Sequence, residues 1–221
     1  MSELLLIILA YLIGSISNAV WISKRFFHID IREYGSGNAG ATNTFRVLGP
    51  RAGTVVMILD MLKGVLAVEL AHIMPYYNQP EHAAQLMNFQ LALGLAAVVG
   101  HIFPIWAEFR GGKGVATLFG MVLAIQPIVA LCCVGVFVGV LFLTRYVSLS
   151  SILAAIAFPL LILFIFKAHA FIYQLFAIAI ALLVIFTHQK NIQRLLHGRE
   201  NRVSLFKKRK SSSDSGSDGH V

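Results

Sequence analysis

The stretch Val115–Leu143, VATLFGMVLAIQPIVALCCVGVFVGVLFL, decides how this chain must fold. It is apolar nearly throughout and carries no charged residue. A transmembrane helix needs about 20 such residues, so the block is too long for one crossing and short for two. Gln126-Pro127 sits in its middle. Proline lacks an N–H donor and crowds the preceding turn, which disfavours one uninterrupted helix. The block therefore reads as two short passes, 115–125 and 128–143. At about 1.5 Å per residue the first is too short to span the bilayer. It must thin the membrane or start from a site below the membrane surface.

Further apolar blocks lie at 2–23, 52–75, 86–106, 148–166 and 170–187. The expected fold is an all-α polytopic membrane protein of about seven transmembrane helices. Composition agrees. Only 13% of the residues are charged, against about 25% in a soluble domain, which excludes a disordered chain and argues against a soluble globule. Residues 2–23 have no basic n-region and no small-residue cleavage site, so they read as a retained helix rather than a signal peptide. Residues 1–205 form one transmembrane domain, and 206–221 read as a basic, Ser-rich, disordered tail. The two cysteines, Cys132 and Cys133, are adjacent within an apolar block. They read as packing residues rather than a disulfide, redox pair or zinc site.

Lys/Arg asymmetry sets the orientation. The loop Lys24–Arg51 holds Lys24, Arg25, Arg32, Arg46 and Arg51, and the loop Glu108–Gly114 holds Arg110 and Lys113. The segment His188–Val221 holds eight Lys/Arg, whereas the 75–85 loop holds none. These three basic segments are expected on the cytoplasmic side, with the N-terminus outside. Three spans reach the second basic loop, and only an even number can connect it to a cytoplasmic C-terminus. The split at Pro127 satisfies that parity. The net charge of +8 is concentrated at the C-terminal end. Beside a membrane helix, such charge sets topology and touches anionic lipid rather than nucleic acid.

The polar clusters fall on these basic segments. The first contains Tyr34-Gly35-Ser36-Gly37-Asn38-Ala39-Gly40-Ala41-Thr42-Asn43, then Arg46 and Gly49. Its G-x-G-x-x-G match lacks a βαβ context and is weak. Glycines nevertheless let backbone N–H groups approach an anion, and Arg46 offers a fork suited to phosphate. The second, Gly100–Thr117, contains Gly111-Gly112-Lys113-Gly114, which places a lysine among N–H donors before a helix. His101 reads as a hydrogen-bonded structural residue. In the third, His188 and Asn191 stand three apart on one helix face, followed by Gly198 and Glu200. Taken singly, each also has a plainer reading, as a flexible turn, a positive-inside anchor and a basic helix end respectively. Asp60 and Lys63 lie inside a span with i,i+3 spacing, so they are expected to pair and face the bundle. Ser148 follows a short inner turn and is placed to face the same site.

Several classes are excluded. No histidine has an aspartate five residues later, so the His-x4-Asp pair of many lipid acyltransferases is missing. The eight histidines contain no i,i+3 or i,i+4 pair, which argues against a helix metal site. There is no G-x-S-x-G elbow. What remains are three cation-rich and glycine-rich clusters suited to phosphates, each monoester carrying about −1.5 to −2.

Together the stretches Gly35–Gly49 (GSGNAGATNTFRVLG), Gly100–Thr117 (GHIFPIWAEFRGGKGVAT) and His188–Glu200 (HQKNIQRLLHGRE) resemble the bacterial acyl-phosphate:glycerol-3-phosphate acyltransferases, the PlsY family. Asp60…Lys63-Gly64 and Arg145–Ser148 fit the resemblance too. It implies transfer of a fatty acyl group from acyl phosphate to the 1-hydroxyl of glycerol 3-phosphate, giving lysophosphatidic acid and phosphate, in a bacterial cytoplasmic membrane. It implies catalytic roles for Ser36, Lys113, His188 and Asn191. It implies substrate binding by Arg46, Asn38, Gly37, Gly40, Gly111, Gly112, Gly114 and Ser148. Its expected partners are glycerol 3-phosphate, fatty acyl phosphate and membrane lipid, with no metal or cofactor. The rival class is a permease for a phosphorylated metabolite, which would place its site near the bilayer midplane on broken helices, often within repeats.

Overall fold

The computed structural model describes residues 2–167 and 170–203; the 206–221 tail lies outside them. Among the described residues there is no strand. The first apolar block is not one helix. It divides into α1 (Glu3–Gly14) and α2 (Asn18–Phe27), which meet at 40°. A break leaves helix-end carbonyls without partners. Here Lys63 Nζ donates to the Ile16 carbonyl at 3.0 Å. Asn18 Nδ2 donates to Asp60 Oδ1 at 2.9 Å, and Asp60 pairs with Lys63 at 3.0 Å. The expected intramembrane pair is therefore present, and it holds the break together.

A short helix, α3 (Ala41–Leu48), leads through Gly49 into α4 (Pro50–Glu69), whose proline occupies the first turn. Residues 70–82 run through short 3-10 turns into α5 (Ala83–Ile102). Then come α6 (Val115–Ile125) and α7 (Pro127–Thr144), which meet at the expected proline. The next helix, α8 (Val147–Leu160), widens into a π-turn at Leu161–Ile165, just past Pro159, which has no N–H to give. Then follow α9 (Phe171–Thr187) and α10 (Gln189–Leu196), bent by 62°.

Close backbone approach holds these helices, as expected where lipid provides no hydrophobic drive between them. A Cβ on Gly64 would collide with the Thr117 carbonyl, and one on Gly120 with the Met61 carbonyl. Thus α4 and α6 touch nearly backbone to backbone. Gly14 and Gly100 do the same for α1 and α5. Around the α6 face, Leu118 and Met121 pack with Val98, Phe158, Ile162, Tyr173 and Ile180. By contrast α7 is peripheral, with only Val129 and Ala130 buried. Cys132 is exposed on it, so the expectation that this cysteine packs inside is corrected.

Among the described residues, three helical stretches are long and apolar enough to cross a membrane: Pro80–Ala107, Pro127–Thr144 and Val147–Ile165. Counting each bent pair as one span gives up to five. Two elements fall outside that count for visible reasons: α4 carries the buried charges, and α6 has only 11 residues.

Candidate active site

The first polar loop is built around Asn43. Its buried side chain accepts a hydrogen bond from the Ser36 N–H at 2.8 Å and donates to the carbonyls of Ile31 and Tyr34. This curls Tyr34–Asn38 back over the start of α3. Gly35 and Gly37 adopt left-handed backbone within the curl. The N–H groups of Asn38, Ala39 and Gly40 are left without a protein acceptor among the described residues. Arg46 reaches Asn43 Oδ1 at 3.4 Å from the exposed face of α3.

Arg32 ties this loop to the second one. It forms a two-oxygen pair with Asp30 and donates to the Ala107 carbonyl at 3.0 Å. Hydrogen bonding from Arg32 holds the Asp30 carboxyl far below the usual carboxylate range. The second loop then lies flat on the end of α5. Gly111 N–H donates to the Ile102 carbonyl and Gly112 N–H to the His101 carbonyl. A Cβ at either glycine would strike His101 or its carbonyl. The sequence reading placed Lys113 among free N–H donors; the structure corrects that for Gly111 and Gly112, whose amides are already bonded. They seat the loop instead. Gly114, at φ +80°, turns the chain into α6. His101 also departs from expectation. It is buried, yet its Nδ1 has no hydrogen-bond partner and stands 3.7 Å from Asp60.

Lys113 emerges from this loop into the third cluster, where its ammonium donates to Asn191 Oδ1. Burial pushes the Lys113 pKa down to about 8, opposed by the charge of Glu200 and aided by Arg194 and Arg46. Glu200 is the hub behind Asn191. One oxygen accepts from Asn191 Nδ2 at 2.7 Å and Ser148 Oγ at 3.0 Å; the other accepts from Arg194 Nε at 2.8 Å. Burial raises the Glu200 pKa, but these donors outweigh it and hold the carboxyl below its ordinary value. His188 is buried, with Nδ1 facing the Val184 carbonyl at 2.8 Å. Because a carbonyl only accepts, Nδ1 carries the proton and Nε2 is the acceptor in the neutral ring.

The three segments enclose a cavity of about 260 Å³, lined by Ser36, Gly37, Asn38, Lys113, Phe186, Thr187, Gln189, Lys190, Asn191 and Arg194. Of the expected residues, Ser36, Gly37, Asn38, Lys113 and Asn191 meet there. Gly40 and Gly114 set the starts of α3 and α6 beside it, and Arg46 adds charge from the side. His188 and Ser148 stand behind the wall, at one remove. Sequence reasoning did not assign Lys190, Arg194 or Glu200. Their signal was present: the single acid of the stretch His188–Glu200, six residues from an arginine.

The model of the glycerol-3-phosphate acyltransferase family matches residues 4–198. The chain belongs to that family. A curated glycerol-3-phosphate acyltransferase of Chlorobaculum tepidum is 42% identical, over 93% of this chain and 98% of its own length. Its counterpart in Listeria monocytogenes is 45% identical, over 90% and 96%. Among solved structures, the glycerol 3-phosphate form of PlsY (YgiH), an integral membrane glycerol 3-phosphate acyltransferase, superposes with a TM-score of 0.81. It is 40% identical and covers 92% of this chain and 96% of that one. The lysophosphatidic acid form of the same protein gives 0.78 at 38% identity.

Membership of this acyltransferase family sets the permease reading aside. Geometry agrees, since the cavity lies where α6 begins and α9 ends rather than midway along either.

Proposed function

We propose that this acyltransferase moves a fatty acyl group from acyl phosphate to the 1-hydroxyl of glycerol 3-phosphate, within the 260 Å³ cavity. The products are 1-acylglycerol 3-phosphate and inorganic phosphate, an early step of phospholipid synthesis in a bacterial cytoplasmic membrane. The observation that carries this reading is the convergence of Ser36, Asn38, Lys113 and Asn191, from three distant segments, on one cation-rich cavity.

An acyl phosphate is a mixed anhydride and already activated, so no nucleophilic side chain is required. The 1-hydroxyl oxygen attacks the acyl carbonyl carbon, the carbon–oxygen bond to phosphate breaks, and the hydroxyl proton leaves on a phosphate oxygen. The protein's share is positioning and charge neutralisation. Lys113 faces the phosphate charge from a buried position, where it is little screened. Arg46, Lys190 and Arg194 supply further positive charge. The free N–H groups at Asn38–Gly40 and the Ser36 hydroxyl add neutral donors. Asn191 and, behind it, His188 orient the substrate hydroxyls. Glu200 and Ser148 fix Asn191.

The topology that fits this chemistry has seven crossings: the α1–α2 pair, α4, α5, α6, α7, α8 with its π-turn, and α9. The N-terminus is outside, and the C-terminus and the cavity are cytoplasmic. Residues 1–205 act as one domain. The short α6 is accommodated because Lys113, at its start, is recessed between other segments.

The test uses purified protein in detergent with glycerol 3-phosphate and palmitoyl phosphate, palmitoyl-CoA or palmitoyl-acyl carrier protein. The expected result is lysophosphatidic acid from the acyl phosphate alone, with one phosphate released per acyl transferred. Transfer from a thioester contradicts the activated-donor mechanism, and product from none overturns the assignment. Topology is checked by labelling single cysteines in a chain lacking Cys132 and Cys133. Lys24→Cys and Gln193→Cys should label only from the cytoplasmic side, and Gln79→Cys only from outside.

A further inference from the structure

A second cavity, of about 480 Å³, opens at the turn between α7 and α8 and is lined by Leu143, Thr144, Arg145, Tyr146, Leu149 and Arg202. It shares no lining residue with the transfer cavity. Two of its six residues are arginines, and among the described residues neither has a carboxylate within ion-pair distance. Arg202 is nonetheless fixed in place. Its Nε donates to the Tyr146 hydroxyl at 3.0 Å, and its guanidinium carbon lies 5.2 Å from the Tyr146 ring centre. Among the described residues, the remaining guanidinium N–H groups and the Tyr146 hydroxyl proton have no acceptor.

Arg145 sits at the C-terminal cap of α7 with φ +62°, a left-handed position that glycine fills without strain. An arginine there keeps its charge at the mouth of the cavity at a backbone cost. Its carbonyl accepts from the Val203 N–H at 2.9 Å, which seats the neighbouring Arg202 at the cavity.

The surroundings select the occupant. Phe142 and Leu143, just before Arg145, are 68% and 81% exposed. Leu131, Val138 and Phe142, spaced seven and four apart, form an outward apolar column along α7 that ends beside Arg145, and Leu143 lines the cavity itself. An acyl chain lies along such a column, and its headgroup then meets the cations. Among the described residues no carboxylate lines the cavity to receive an ammonium group, so a zwitterionic headgroup is disfavoured.

We propose that this cavity binds the headgroup phosphate of an anionic glycerophospholipid, held between Arg145 and Arg202 and capped by the Tyr146 hydroxyl. The site stands independently of the transfer reaction.

The test is native mass spectrometry of the full chain in detergent, titrated with dioleoyl phosphatidylglycerol or dioleoyl phosphatidylcholine. The wild type is expected to bind one phosphatidylglycerol at least ten-fold more tightly than phosphatidylcholine. The double variant Arg145→Gly/Arg202→Gln should lose that preference. Glycine suits the left-handed cap, so the fold is retained. Should the double variant fail to fold, Arg202→Gln and Tyr146→Phe singly should each reduce the preference at least three-fold. The control Arg25→Gln/Arg199→Gln removes the same charge elsewhere and should leave the preference intact. Equal binding of both lipids by the wild type overturns the proposal, as does an unchanged preference in the double variant. Loss of bound phosphatidylglycerol to millimolar inorganic phosphate also overturns it, by reassigning the site to soluble phosphate.

Discussion

Lys113 donates a hydrogen bond to the side-chain oxygen of Asn191, joining two residues 78 positions apart across the cavity. One lies in the loop before α6 and the other on α10. The amide oxygen is the ammonium's acceptor here. A substrate phosphate offers a stronger, charge-assisted acceptor. Substrate binding is therefore expected to release Asn191 from Lys113, while Glu200 keeps its amide nitrogen fixed.

Removing the charge at Lys113 should be costly. Lys113→Ala and Arg46→Ala are each expected to lower kcat/KM by more than ten-fold, about 1.4 kcal/mol or more. Near-normal kcat/KM in either variant removes that residue from the site.

The depressed Lys113 pKa predicts an alkaline limb. Burial holds it at about 8, so above that pH the free enzyme loses the cation that phosphate pairs with. The plot of kcat/KM against pH should fall above about 8. Bound phosphate favours the charged lysine, so kcat should hold to higher pH than kcat/KM. Lys113→Arg, with a group that stays protonated, should lack the limb near 8. A limb that survives in that variant assigns it to another group.

Glu200 and Ser148 act through Asn191, which predicts a graded pattern. Glu200→Ala leaves Ser148, Asn191 and Arg194 without their shared acceptor. It should lower both Tm and kcat/KM, since a hydrogen bond to a charged group is worth about 1.5–3 kcal/mol. Ser148→Ala removes one of the three bonds, so it should keep the fold and lose less than ten-fold. A larger loss in Ser148→Ala, with Tm unchanged, indicates direct contact with substrate.

The α4–α6 contact predicts where small residues matter. Gly64→Ala and Gly120→Ala each drive a methyl group into a facing carbonyl. Each should destabilise the protein by about 1–3 kcal/mol, the usual cost of overpacking. Gly135→Ala and Gly139→Ala, on the open side of α7, meet nothing within 4 Å and should leave Tm unchanged. Equal Tm across all four variants contradicts the backbone contact that positions Lys113.

Much of this architecture is legible in hydropathy, because lipid makes apolar length nearly synonymous with a span. The break at Pro127 and the pairing of Asp60 with Lys63 follow from proline chemistry and from the cost of an unpaired charge in a bilayer. The break at Ser15–Ser17 was not legible. It lies in an apolar block without proline, and the groups that satisfy it, Lys63 and Asp60, are more than 40 residues away. The glycines of the second loop misled for a related reason. A run such as Gly111-Gly112 permits close approach to an anion or to backbone alike, and only the fold shows His101 beneath it. Glu200 was visible as a residue but not as a hub, because its three donors come from α8 and α10.

The most direct test is an experimental structure with glycerol 3-phosphate bound. The phosphate should lie between Ser36, Asn38 and Lys113, within hydrogen-bond distance of Lys113 Nζ, with the Lys113–Asn191 bond opened. Phosphate density outside this cavity, with Lys113 still bonded to Asn191, would contradict the account.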